Sequence, residues 1–235
     1  IEAICNGIID KKLEFHWGCE GRVDSLAVEE LPLMVKANCT FLAFGVEAGT
    51  KKVLNRLKKG QTIEQIEHAV KQAKKDGIET AHGFFLIGSP DETTKDILES
   101  FRFAVRLKLD TFSFSRLCVY RGTPLWQEYV ERGIIDDDRD WHKWFKCSDI
   151  DPTILPSEVV HQARKKGYML LFGYLLLLRP VATFRLLRKF SRYMTTSDIC
   201  TLLWGPFSKK AKTRKPELPE WMIEQELDSP TRTAS

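Results

Sequence analysis

Four short apolar stretches, beginning near residues 13, 41, 81 and 111, are each followed by a segment with helical periodicity. This alternation is the strongest constraint on the fold. A strand that reaches the next strand through a helix returns in the same direction, so the sheet must be parallel with helices packed over it. The predicted class is α/β, with four βα units over residues 1–135, which is only part of a barrel. A connecting segment at 136–154 and a helical extension at 155–208 follow. The tail from 209 is polar, charged and Pro-containing, and is expected to be disordered.

The strand ends carry the chemistry. Phe41 to Val46 reads as a strand ending at a lone acid, Glu47, before Gly49, Thr50 and a helix over Lys51 to Leu57. Leu13 to Trp17 alternates apolar and polar residues, and runs into a Gly-rich loop with Arg22 and Asp24. Ala81 to Ile87 leads into Gly88-Ser-Pro-Asp-Glu-Thr93, and Thr111 to Val119 carries Arg116. In a parallel sheet these groups meet on one edge, where ligands bind. A carboxylate there can accept both hydroxyls of a ribose. A Gly-Ser-Pro turn lets backbone N–H groups approach a ligand, and arginines can fork to a carboxylate. The bland reading of Glu47, a helix cap or a partner for a lysine, stays open.

Local signals place the helices. Thr62 and Gln65 have capping-box spacing, and Gly77 stands where a helix ends in C′ glycine. A helix over Thr94 to Leu107 has Ile97, Phe101 and Ala104 in its stripe, and another covers Leu125 to Arg132. Ile1 to Ile9 reads as the middle of an amphipathic helix with Ile1, Ile4, Cys5, Ile8 and Ile9 on one face, so the chain is expected to be part of a longer one. Ser157 is the expected N-cap of the extension. Residues 168–178 are apolar over too short a run to span a bilayer. The basic amphipathic stretch 181–193 either packs on the barrel or lies on a membrane surface.

Composition excludes several classes. With 36 basic and 32 acidic residues, the net charge of +4 is too balanced for nucleic-acid binding across the whole chain. The six cysteines, at 5, 19, 39, 118, 147 and 200, stand singly, as in reduced cytoplasmic proteins. His16 and Cys19 have the HxxC spacing of a metal pair without a second pair nearby. His82 is either a core or a substrate-facing histidine, and Cys118 a small buried residue or a functional thiol. The aromatic group Trp141 to Phe145 is either a substrate roof or a plug. Lys209 to Lys215 reads as a solvated basic tail.

Trp17-Gly-Cys-Glu-Gly-Arg-Val-Asp24, Phe44-Gly-Val-Glu-Ala-Gly49, Leu57-Lys-Lys-Gly60 and Gly83-Phe-Phe-Leu-Ile-Gly-Ser-Pro-Asp-Glu-Thr93 stand in this order. Together they resemble the radical S-adenosylmethionine superfamily, and within it the subgroup with a cobalamin-binding domain, which includes methyltransferases and the anaerobic ring cyclase of bacteriochlorophyll synthesis. The resemblance implies a partial (βα)6 TIM-like barrel. It also implies S-adenosylmethionine, a [4Fe–4S] cluster that cleaves it to a 5′-deoxyadenosyl radical, an electron donor, an apolar small-molecule substrate and, in this subgroup, cobalamin. Glu47, beside Gly45, matches the family's ribose-contacting acid. Gly88, Ser89, Pro90 and Glu92 match the turn beside the adenine. Arg22 and Arg116 join the set because their positions face the rim. The family's CxxxCxxC triplet is absent from this sequence, so no metal ligand is assigned and this polypeptide alone is not expected to perform the radical chemistry. Tyr120-Arg121-Gly-Thr stands where many relatives have Pro-Gly-Thr. The alternative function is a non-catalytic derivative of the barrel that binds nucleosides or docks a partner.

Overall fold

The computed structural model describes residues 1–24, 28–133, 155–181, 183–184 and 188, all within one compact unit, Ile1–Tyr193. Helix α1 (Glu2–Asp10) precedes strand β1 (Trp17–Gly21). A 3-10 turn (Val28–Glu30) and α2 (Leu31–Lys36) lead to β2 (Cys39–Glu47). Helices α3 (Lys51–Arg56) and α4 (Ile63–Asp76) connect to β3 (Thr80–Ile87). Then come α5 (Thr94–Arg106), β4 (Thr111–Arg116), α6 (Pro124–Glu131) and α7 (Ser157–Leu178). The strands form one sheet in the order β1-β2-β3-β4, every pair parallel. Neighbours in sequence are neighbours in space, as in a barrel segment; a doubly wound sheet would reverse direction partway.

One face of the sheet is buried under helices. Leu42, Phe44 and Val46 of β2, Ala81, Phe85 and Ile87 of β3, and Phe114 of β4 are all core residues. The Phe114 ring stacks on Phe85 at 4.4 Å and on Phe101 of α5 at 3.7 Å between centroids. Tyr168 of α7 meets both Phe101 and Phe114 edge-on. Aromatic pairs in these arrangements add about 0.5–1.5 kcal/mol each beyond burial of their area. The opposite face is different: Phe41 and Phe84 are each 36% exposed, with His82 between them.

Several boundaries differ from the sequence reading. Strand β1 starts at Trp17, and the expected strand residues Leu13 and Phe15 are exposed. The register is set from Trp17 onward, because its N–H donates to Asn38 O (3.2 Å) and its Nε1–H to Ala37 O (2.6 Å). Gly18 lies so close to Phe41 that a Cβ there would sit 2.7 Å from the Phe41 Cβ. In α1 only Cys5 and Ile8 are buried, while Ile1 and Ile4 face outward. Strand β4 ends at Arg116, three residues before the expected Val119. Pro156, not Ser157, occupies the N-cap position of α7. The expected capping box of Thr62 with Gln65 forms, a second one joins Thr93 to Asp96, and Gly77 ends α4 at φ 107°. Trp141 to Phe145 and the tail lie outside the described residues.

Two glycines set the helix positions by close approach. A Cβ on Gly49 would lie 2.7 Å from Ser100 Cα and 2.8 Å from Phe103 Cβ of α5; the Gly49 N–H donates to Ser100 Oγ at 2.9 Å. A Cβ on Gly167 of α7 would collide with the Phe101 ring, which stacking on Phe114 holds in place. Gly49→Ala and Gly167→Ala should each destabilise the chain by about 1–3 kcal/mol, the usual range for overpacking. Urea unfolding of the two variants beside a control with open space for a Cβ, Gly21→Ala, measures this.

Candidate functional site

The C-terminal edge of the sheet gathers the groups predicted for it. Gly21, the residue before Arg22, pairs with Phe44; Glu47 pairs with Phe85, and Ile87 with Arg116. Glu47 and the Gly88 turn therefore share one edge of a parallel sheet.

Glu47 has an unusual conformation. The register slips between Gly45 and Glu47, and Glu47 takes φ 67°. The Ala48 N–H donates to Val46 O at 2.8 Å, closing a three-residue turn around the acid. Such a γ-turn with positive φ is rare and strained for a residue with a Cβ. It turns the carboxylate back over the face opposite the helices: a Cβ on Gly45 would meet Glu47 Oε1 at 3.1 Å. Gly45 thus makes room for the acid. Gln61, buried in the loop before α4, fastens the turn from behind by donating its amide to Gly45 O (2.9 Å) and Val46 O (3.0 Å). Sequence reasoning missed Gln61, since a single amide in a Gly-Gln-Thr linker carries no signal of its own.

Cations surround the acid. Lys59 Nζ lies 2.9 Å from Glu47 Oε1, so the lysine-partner reading of Glu47 holds in this structure. Arg22 Nη2–H donates to Lys59 O at 2.7 Å. The Arg22 fork engages Asp24 through Nε (2.9 Å) and Nη2 (2.7 Å), rather than standing open for a ligand carboxylate as predicted. Asp24, mainly through that hydrogen bond, pushes the Arg22 pKa further up.

The Gly88 turn also differs from expectation. Its N–H groups were predicted to face a ligand, but Gly88 N (2.6 Å) and Ser89 N (2.9 Å) both donate to Glu92 Oε2. Ser89 is buried, with its hydroxyl directed to Pro90 O at 3.5 Å. Glu92 is only 4% exposed, and its Oε1 is buried without a hydrogen-bond partner. Burial pushes the Glu92 pKa up to about 7, against the two backbone N–H groups that favour its ionised form. Pro90 lines a cleft of about 330 Å³ with Lys52, Val53, Asn55, Arg56 and Asp91. That cleft includes neither Glu47 nor Arg22, and its cations are engaged: Lys52 with Asp96, Arg56 with Asp91 and Glu128.

The remaining candidates separate. On the open sheet face His82 Nδ1 lies 2.7 Å from Thr111 Oγ1 and Nε2 lies 3.3 Å from Ser113 Oγ; burial pushes its pKa down to about 4, so the ring is neutral at pH 7. Cys19 is hydrogen-bonded to Cys39, which lowers its pKa to about 7. Among the described residues no group of three His, Cys, Asp or Glu is placed to hold a metal ion. Cys118 is disulfide-bonded, unlike the isolated reduced cysteine predicted.

Glu92 makes stability pH-dependent. Its folded pKa lies above the ordinary 4.5, so the folded state binds the extra proton and its stability falls as pH rises from about 4.5 through 7. Roughly 3 kcal/mol should be lost across that window. Urea unfolding at pH 4.5 and pH 8 should show the wild type losing about this much stability relative to Glu92→Gln, because His82, whose folded pKa lies below its ordinary value and whose effect has the opposite sign, acts alike in both.

Comparison with known proteins follows the same geometry. A family model described as the Radical SAM superfamily matches residues 1–104. An uncharacterized methyltransferase of Pyrococcus horikoshii is 30% identical over 161 residues, covering 67% of this chain and 34% of that protein. The anaerobic magnesium-protoporphyrin IX monomethyl ester cyclase of Rubrivivax gelatinosus is 29% identical over 54% of this chain and 23% of the cyclase. The chain therefore spans about a third or less of the length of these relatives. Two solved structures share the fold. The radical S-adenosylmethionine methyltransferase TsrM of Kitasatospora setae, solved with cobalamin and a [4Fe–4S] cluster, has TM-score 0.50 at 19% identity over 56% of this chain and 27% of TsrM. Coproporphyrinogen III oxidase of Escherichia coli has TM-score 0.53 at 15% identity over 74% of this chain and 37% of the oxidase. Residues 1–104, which hold β1 to β3 and the Glu47 turn, match the Radical SAM superfamily.

Proposed function

We propose that this chain supplies the S-adenosylmethionine-binding rim of a radical-type enzyme, with Glu47 receiving the ribose hydroxyls. The observation that carries the reading is the strained turn at Glu47. Positive φ on a non-glycine residue costs about 1–2 kcal/mol, and strain of this kind collects where geometry serves a ligand. A glycine at position 47 would relieve it, but would remove the carboxylate that the turn aims over the open sheet face. A ribose diol replaces the Lys59 ammonium at Glu47 with two hydroxyl donors, which match two carboxylate oxygens.

S-adenosylmethionine supplies an activated sulfonium when bound. This chain's own part is to bind and orient: Gly45 leaves the space, Gln61 holds the turn, and Lys59 pairs with the acid until the ligand takes its place. The chain does not fit a [4Fe–4S] cluster: its cysteines are scattered and the described residues hold no ligand set. The substrate class supported is a small, largely apolar molecule on the open face beside Phe41 and Phe84. Methyl transfer and cyclisation are the reactions the relatives' names carry. Cobalamin is named for one fold neighbour, and its use here is part of the proposal.

Titration calorimetry of S-adenosylmethionine into the chain tests the rim. Glu47→Gln should weaken binding about 10- to 100-fold, the loss expected for charge-assisted hydrogen bonds. Glu47→Gly should bind as weakly while gaining about 1 kcal/mol of stability from the relieved turn. Unchanged affinity in both variants would reject the assignment. A non-catalytic nucleoside binder would show the same affinities, but the holoenzyme would not cleave S-adenosylmethionine under reduction.

A further inference from the structure

Helix α7 packs with one side only. Val160, Ala163, Gly167, Tyr168 and Leu171 lie inward, with Gly167 and Tyr168 against Phe101 of α5. The other side carries Met169, Leu170, Leu176 and Leu177, and the same helical spacing continues past the break at Arg179 through Val181 and Phe184. These side chains are 40–80% exposed, with Leu177 the most open at 80%. The default that an apolar stripe packs on the core therefore fails at Val181 and Phe184.

The position of the stripe is held, not loose. The Arg179 guanidinium donates to Lys108 O (2.9 Å), Leu109 O (3.2 Å) and Asp110 Oδ1 (3.2 Å), and the Thr183 hydroxyl donates to Leu175 O at 2.9 Å. Exposed Lys165 and Lys166 stand one turn before the stripe, and exposed Arg188 one turn after it. From residue 159 to 197 the sequence contains eight lysines and arginines and no aspartate or glutamate. A 39-residue stretch of that charge stands out in a chain whose net charge is only +4.

We infer that this face of α7, with Val181, Phe184 and Arg188 after it, forms a peripheral docking surface for an anionic lipid membrane. The apolar stripe enters the headgroup–acyl boundary and the flanking cations meet acidic headgroups. Apolar side chains alone would suit a second copy of the chain or any apolar partner. The exclusion of every acid over this stretch selects a negatively charged, laterally continuous surface. No described helix is long and apolar enough to cross a membrane, so the helix lies on the surface rather than through it. This inference does not depend on the nucleoside site.

The test is co-sedimentation of the full chain with sucrose-loaded vesicles of phosphatidylcholine alone or with phosphatidylserine. Binding should require phosphatidylserine and weaken with salt. Lys165→Gln with Lys166→Gln alters no buried contact, and should weaken binding about fivefold for each lysine removed. Leu177→Glu with Phe184→Glu should weaken it about tenfold or more, with the circular dichroism and melting of the wild type because both side chains are exposed. The proposal is overturned by equal binding to neutral vesicles, by no binding to either kind, or by full binding of the charge-inserted variant. It is also overturned if light scattering finds a dimer of the 27.1 kDa chain that Leu177→Glu dissolves, since the stripe would then be a self-interface.

Discussion

The turn over Val46, Glu47 and Ala48 depends on one amide. Gln61 donates to the carbonyls of Gly45 and Val46, satisfying backbone groups that the slipped register takes out of the β2–β3 ladder. A buried carbonyl without a partner costs about 1–3 kcal/mol; Gly45 O has this amide and Val46 O shares it with the Ala48 N–H, so the amide stabilises the bulge and its positive φ. The turn in turn sets where the carboxylate points. A strand that continued regularly would alternate residue 47 onto the same face as Gly45 without bringing its Cα past the ladder. The bulge shifts the acid to the lip of the sheet and folds it back. Lys59 and Arg22 then arrange themselves around it.

The neighbouring turn solves a different problem. Gly88 and Ser89 present two N–H groups in the kind of nest that draws anions, and the chain fills it with its own Glu92. Burial disfavours that charge while the two hydrogen bonds favour it, and burial prevails. The turn is thereby closed from within, and its rigidity passes to the start of α5, where Thr93 and Asp96 cap each other. The rim thus has a strained, cation-paired acid on β2 and a self-satisfied turn on β3. Of the two, only the first presents a partly exposed charged side chain to the open face.

Behind the rim, the stacked rings of Phe85, Phe114 and Phe101 tie sheet to helices, and the two glycines at 49 and 167 let backbones approach where a methyl group would not fit. The same packing that anchors α7 through Tyr168 and Gly167 turns Leu170, Leu176 and Leu177 outward. The buried and exposed sides of that helix are therefore two results of one docking geometry, and the match to the Radical SAM superfamily lies in the residues before it.

The sequence by itself determined the βα alternation, the parallel sheet, the capping box at Thr62, the C′ glycine at 77 and the acid at a strand end. Each is written in residues close along the chain, where periodicity and capping chemistry act. Tertiary structure alone decided the rest. Strand β1 begins where Trp17 meets Ala37 and Asn38, not where alternation begins. The γ-turn at Glu47 needs the amide of Gln61, 16 residues beyond Gly45, and the seat of Gly49 needs a serine 51 residues away. The closure of the Gly88 turn follows from Glu92 being buried, which no local pattern encodes. Backbone strain, desolvation and close approach arise from contacts between distant segments, so they become visible only when those segments are brought together.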